Sequence, residues 1–262
     1  MKEFFGIGGY QRPAEGYMSW QHLVFVTSLM VVMAGLAVFF GLRQKKLGEK
    51  ARNKVMVITA IVLIAVEAFK YTVLGIKAHL ENDPTWWEVN LPLFLCSIQL
   101  FTIPLAAFAK GRVKEASMDF VMIFGILGAI LGTYAAAQNY NAYPVISFNN
   151  VVSGLTHAIA GFASLYVMVS GLGRLKWKNM WITFAILLGV CAMAFAANAW
   201  LDYNYMFLRQ GDGTPYDILY NLVGGNPILY PIGVIGLFMI YIAGFYVVHI
   251  LATRKKKEPA EV

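Results

Sequence analysis

Two side chains in this 262-residue chain are of types that do covalent chemistry together. Cys96 lies in Leu91-Pro92-Leu93-Phe94-Leu95-Cys96-Ser97, and His157 in Gly154-Leu155-Thr156-His157, each early in its own apolar stretch. A thiol beside an imidazole is a nucleophile with its general base. A thiol in apolar surroundings is inert unless a neighbouring base takes its proton. Ionisable side chains inside a bilayer are costly and tend to mark function. Cys96 is five residues past Leu91, about 7–8 Å at the usual helical rise, and His157 is six past Val151, about 9 Å. The depths agree, so the two can meet. The blander readings are a small packing cysteine and a histidine that hydrogen-bonds a neighbouring helix.

The elements that must position them are transmembrane. The chain is 59% hydrophobic and only 13% charged, where an average soluble domain is about 25% charged. A spanning helix needs about 20 mostly apolar residues. Seven stretches qualify, at about 22–42, 55–77, 91–109, 118–137, 151–172, 180–201 and 227–252. The expected fold is therefore an all-α polytopic membrane protein of seven transmembrane helices, one domain over residues 1–262. The first stretch is too long for a cleaved signal peptide and is taken as retained.

Charge alternates from loop to loop. Sixteen of the 21 Lys and Arg fall in 43–54, 110–114, 174–178 and 254–257. The positive-inside rule makes these loops cytoplasmic, with the N-terminus outside and the C-terminus inside. The net charge of +7 is then a matter of topology, and no nucleic-acid partner is expected. The basic C-terminal run is also placed to meet anionic lipid heads.

Helices in lipid approach one another through small residues. Gly125, Gly128 and Gly132 on the fourth stretch read as packing. Ser153, Gly154, His157, Gly161 and Ser164 recur at three- and four-residue intervals, so His157 projects from a small-residue seam toward other helices. Gln99 shares the face of Cys96 at i+3, and Glu67, Lys70 and Tyr71 share a face of the second stretch. Glu67 and Lys70 neutralise each other in the bilayer, with a possible head-group role. Asn198 lies one turn from the outer end of the sixth stretch; it or Gln99 is the candidate donor to an oxyanion. The long outer loop 202–226 reads as an aromatic lid, with Arg209 available for a phosphate.

Other chemistries fit less well. The four histidines lack a metal-ligand spacing, although His22 opposite His157 is a conceivable haem pair. No metal or cofactor is expected. Two cysteines make no disulfide framework, and Cys191 reads as packing.

In these residues the chain resembles the YwaF-type (TMEM164-like) bacterial integral membrane proteins, over nearly its whole length. The markers are Leu-Pro-Leu-x-Leu-Cys-Ser at 91–97, Glu67 with Lys70, Thr156-His157 followed by Leu165-Tyr166, and Asn198 followed by Asn204-Tyr205-Met206-Phe207-Leu208. That group is distantly similar to transmembrane acyltransferases of ether phospholipids and to androgen-induced membrane hydrolases, which use a Thr and a His. The resemblance implies Cys/His or Thr/His acyl chemistry on membrane lipids, with phospholipid or lysophospholipid as substrate. It carries His157 over more securely than Cys96. The bacterial group commonly has His two before the cysteine, where this chain has Phe94, which implies altered activity.

The expected function is a lipid acyl-ester enzyme of the cell membrane, acyltransferase or hydrolase, with Cys96 as nucleophile and His157 as base. Gln99, Glu67, Lys70, Asn198, Asn204 and Arg209 are the supporting residues. The alternative is a non-enzymatic lipid or small-ligand binding or transport protein, with a polar pocket around Glu67, Lys70, His157 and Asn198.

Overall fold

The computed structural model describes residues 2–254, and no strand occurs among them. The helices are α1 (Lys2–Phe5), α2 (Trp20–Lys45), α3 (Glu49–Glu81), α4 (Gln99–Phe108), α5 (Gly111–Tyr134), α6 (Ala137–Ala142), α7 (Phe148–Ser170), α8 (Met180–Leu201), α9 (Tyr216–Leu222) and α10 (Leu229–Arg254). Six are long and apolar enough to cross a membrane: α2, α3, α5 (running on into α6), α7, α8 and α10. The chain is a multi-pass membrane protein.

The stretch 91–109 departs from the seven-helix expectation. Only its second half, α4, is regular helix. Ten residues reach about 15 Å, half of a hydrocarbon core. Pro92 disfavours helix at Leu91, and the Leu91 N–H is instead bonded to the Tyr205 hydroxyl at 3.0 Å. Irregular backbone at membrane depth is tolerated where it is buried in protein or lines a cavity, and both conditions are met here.

The packing begins with α5 against α7. A Cβ on Gly125 would come within 2.6 Å of the Ala160 carbonyl, and the Ser164 hydroxyl donates to Met122 O at 2.7 Å. Gly161 does the same for a three-way contact: a Cβ there would strike Ala129 of α5 and Met33 of α2. Small residues thus let three helices touch nearly backbone to backbone.

The basic loops gather at one end of the bundle. Arg52 donates to the carbonyls of Ser170 and Gly171 at 3.1 and 2.9 Å, capping α7. Asn53 donates to Ala107 O at the end of α4 and accepts from Lys114 Nζ at 2.8 Å. Lys176 pairs with Glu115 at 2.6 Å. Lys255–Lys257 of the C-terminal run lie outside the described residues.

Near that end a buried carboxylate ties α5 to α8 and α10. Asp119 accepts from Asn179 Nδ2 at 3.0 Å and from the Tyr246 hydroxyl at 2.9 Å, and Tyr246 also meets Thr183 at 3.0 Å. Removing the acceptor strands the buried Asn179 amide, at about 1–3 kcal/mol, while the Tyr246 hydroxyl keeps Thr183 as a partner. Asp119→Ala should therefore destabilise the protein by roughly 1–3 kcal/mol, read as a fall in the thermal midpoint in detergent. An unchanged midpoint would show that the network carries no stability.

Candidate active site

Cys96 and His157 are brought together on one ridge of α5. A Cβ on Gly128 would lie 3.5 Å from the Cys96 Cβ, in ordinary contact. A Cβ on Gly132 would lie 2.0 Å from His157 Nε2, inside the imidazole's own space. Gly128 and Gly132, one turn apart, therefore meet Cys96 and the His157 ring in succession, and the two residues line one cavity without a hydrogen bond between them. The Gly-x-x-x-Gly serves close packing as expected: Gly125 meets the α7 backbone, while Gly128 and Gly132 meet the Cys96 and His157 side chains.

The histidine's tautomer follows from its partner. Nδ1 lies 2.7 Å from the Ser153 carbonyl, which can only accept, so Nδ1 carries the proton. In the neutral ring Nε2 is then the basic atom. It is buried and makes no hydrogen bond. His22 is a useful contrast. Its Nδ1 accepts from the Met18 N–H and its Nε2 lies 3.1 Å from the Thr133 carbonyl, with the ring against Tyr140 at 3.9 Å. Both nitrogens of His22 are committed to the fold, which removes it as an opposite number for His157.

Both Cys96 and His157 line a cavity of about 520 Å³. Its α3 wall is a single stripe, Leu63, Glu67, Lys70, Leu74, Lys77 and Glu81, about 27 Å long at the helical rise. Polar groups dominate the outer part, and Leu63, Leu100 and Ala160 form the inner end. Glu67 and Lys70 form an ion pair at 2.5 Å, and Lys70 also lies over the Tyr71 ring at 4.8 Å. Glu81, at the end of this stripe, escaped the sequence reading, although its four-residue spacing from Lys77 continues Glu67 and Lys70. The N-terminal segment meets them from above: Gly8 N–H donates to Glu81 and Tyr10 stacks under Lys77.

Gln99 is 2% exposed and also lines the cavity. Its Oε1 accepts from Thr102 at 3.0 Å, and its Nε2 has no partner. Asn198, Asn204 and Arg209 do not line the cavity. Asn198 is bonded through both ends of its amide to the backbone N–H and carbonyl of Tyr205. Asn204 is bonded to the 209–212 turn, and Arg209 to Asp202 at 2.6 Å near the surface. Of the outer loop 202–226, only Tyr203 reaches the cavity.

The profile of the TMEM164 family matches residues 17–254, which takes in α2 to α10 and every residue of the site. The chain belongs to the TMEM164 family. No curated protein and no solved structure matches it.

Two segments that mark this TMEM164-family chain in sequence meet in space. Tyr205, whose backbone is held by Asn198, donates its hydroxyl to Glu88 O and accepts there from the Leu91 N–H. Phe94 packs on the rings of Tyr205 and Phe207 at 5.2 and 5.8 Å. The Asn-Tyr-Met-Phe-Leu segment is thus a clamp on the irregular run that leads into Cys96. Asn198 acts at a distance from the cavity, through Tyr205.

The two glycines give opposite expectations. Gly132→Ala should push the His157 ring out of place and lower the alkylation rate of Cys96 at least tenfold. Gly128→Ala should leave that rate within about twofold, because the added methyl makes only an ordinary contact. Equal rates in wild type and Gly132→Ala, measured by intact-protein mass spectrometry, would show that Gly132 does not seat the base.

Proposed function

We propose that this protein is a lipid acyl-ester enzyme of the cell membrane, an acyltransferase or hydrolase, in which Cys96 is the nucleophile and His157 its general base. The observation that carries the reading is the buried, unpartnered Nε2 of His157, the basic atom of the neutral ring, on the wall of the cavity that Cys96 also lines. Family membership adds support through the acyl chemistry to which the group is similar.

The reaction runs in two halves. His157 Nε2 takes the thiol proton, and the sulfur attacks the ester carbonyl carbon. The ester C–O bond breaks and His157 returns the proton to the departing alkoxide, leaving an acyl thioester on Cys96. A lysophospholipid hydroxyl or water then gives its proton to His157 and attacks the thioester, releasing the thiol. The polar outer part of the cavity, with the Glu67–Lys70 pair, suits a head group. The apolar inner end suits the start of an acyl chain.

In this reading the basic end of the bundle is cytoplasmic and the cavity mouth opens to the outer face. The segment 82–108 completes the seventh crossing by irregular chain and α4 together. The binding-protein alternative loses its Asn198 corner, which the Tyr205 backbone occupies.

A thiol-reactive lipid probe tests the pair. Labelling should vanish in Cys96→Ala, and it should slow by about 10²-fold or more in His157→Ala near neutral pH, the usual contribution of a general base. Labelling of Cys96 at the wild-type rate in His157→Ala would sink the dyad and favour a binding protein with a packing cysteine.

A further inference from the structure

Besides nucleophile and base, acyl transfer needs a place for the negative charge that develops on the carbonyl oxygen, and such a place is usually the largest single catalytic contribution. Three observations around Cys96 bear on it. The helical run that contains α4 starts before Gln99: Phe94 O accepts from the N–H of Ser97 at 2.9 Å and of Ile98 at 3.3 Å, and Ile98 has helical dihedrals (φ −62°, ψ −22°). Cys96 is therefore in the first turn of a helical run, where the leading N–H groups have no intrahelical partner. The N–H groups of Leu95 and Cys96 make no backbone hydrogen bond among the described residues.

The second observation is independent of that helix end. Gln99 is 98% buried, and its Nε2 is an unpartnered donor on the cavity wall. Its Oε1 is tied to Thr102, which leaves the NH₂ end directed elsewhere. Side chains on a helix lean toward its N-terminus, so an amide at i+3 leans back over Cys96. A buried donor left without a partner costs about 1–3 kcal/mol, a cost offset when an acceptor arrives. The third observation concerns the alternative donor: both ends of the Asn198 amide are bonded to Tyr205.

We propose that the Cys96 main-chain N–H and the Gln99 side-chain amide form the oxyanion hole of this enzyme, so that Gln99 is a catalytic residue. The proposal rests on the Cys96/His157 reading and extends it to the carbonyl oxygen. As the sulfur adds to the carbonyl carbon, the C=O π pair moves onto oxygen, and the Cys96 N–H and Gln99 Nε2 donate to it. When the C–O bond to the leaving alcohol breaks, that pair re-forms the carbonyl of the thioester.

Alkylation and acylation of the same sulfur separate this role from the dyad. Iodoacetamide needs a reactive thiolate and creates no oxyanion. A p-nitrophenyl fatty-acyl ester needs both. The full chain in detergent would be treated with each, and Cys96 adducts timed by mass spectrometry. In Gln99→Met, alkylation should stay within about twofold of wild type, whereas acylation should slow by about 10²–10³-fold, the range for one lost oxyanion donor. The alkylation rate also reports whether the site is intact. If Gln99→Met alters it, Gln99→Leu serves instead, since it removes the donor without placing a charge or a new donor near the thiol; it should show the same split. Acylation at the wild-type rate in an alkylation-competent variant would overturn the oxyanion role and leave the dyad standing. Alkylation and acylation falling together in both variants would overturn it as well, because Gln99 would then act only on the fold. A wild-type protein that alkylates at Cys96 and never acylates would overturn both readings.

Discussion

The close approach of α5 to α7 is the constraint on which the rest of the site depends. In lipid there is no hydrophobic drive to press helices together, so separation is set by what side chains allow. Glycine at 125 admits the Ala160 carbonyl, and glycine at 132 admits an imidazole edge-on. The same ridge, at 128, meets the Cys96 Cβ. One α5 surface thus meets α7, the His157 ring that α7 carries, and Cys96 arriving from a different segment. A methyl group at one of these places would act as a spacer in a bundle that has little else to hold its distances.

The segment that leads into Cys96 is held by polar bonds, for a reason that follows from its backbone. An irregular run within the bundle must satisfy its N–H and C=O groups inside the protein. Tyr205 does this for Glu88 and Leu91 with a single hydroxyl, and Asn198 holds Tyr205 in turn. The Phe94 ring closes the clamp by packing on Tyr205 and Phe207. Some polar groups of the interior are paired off, Asp119 with Asn179 and Tyr246, His22 with Met18 and Thr133. Six buried side-chain polar atoms among the described residues have no partner, and of these His157 Nε2 and Gln99 Nε2 are the two whose residues line the cavity. Sharing that wall with a thiol is what gives the cavity a chemical direction.

Much of this was legible in the sequence, and the limits have physical causes. Six of the seven apolar stretches are membrane-length helices, with ends within about seven residues of those expected. The depth arithmetic brought Cys96 and His157 to one level, although it assumed a regular helix at 91–96 that does not form. The irregular run escaped because its stability comes from Tyr205, more than a hundred residues away. Asn198 and Gln99 looked alike as amide donors near the outer layer. Only the partners separate them: one amide is saturated at both ends, and the other keeps a free N–H. Gly128 and Gly132 carry the same motif whether a ridge meets a helix or an active site, so their role could not be read from spacing.

The sequence by itself determined an all-helical membrane protein, the clustering of its basic loops, the TMEM164-family resemblance and the two reactive residue types. These follow from local properties: the apolar length needed to span lipid, the distribution of charge, and the residues present. The tertiary structure alone decided that the thiol and the imidazole share one cavity, which ring nitrogen is free, and which amide faces the cavity. Each of those depends on a contact between segments far apart in the chain, and in lipid such contacts are set by a few ångströms of side-chain volume and by single hydrogen bonds.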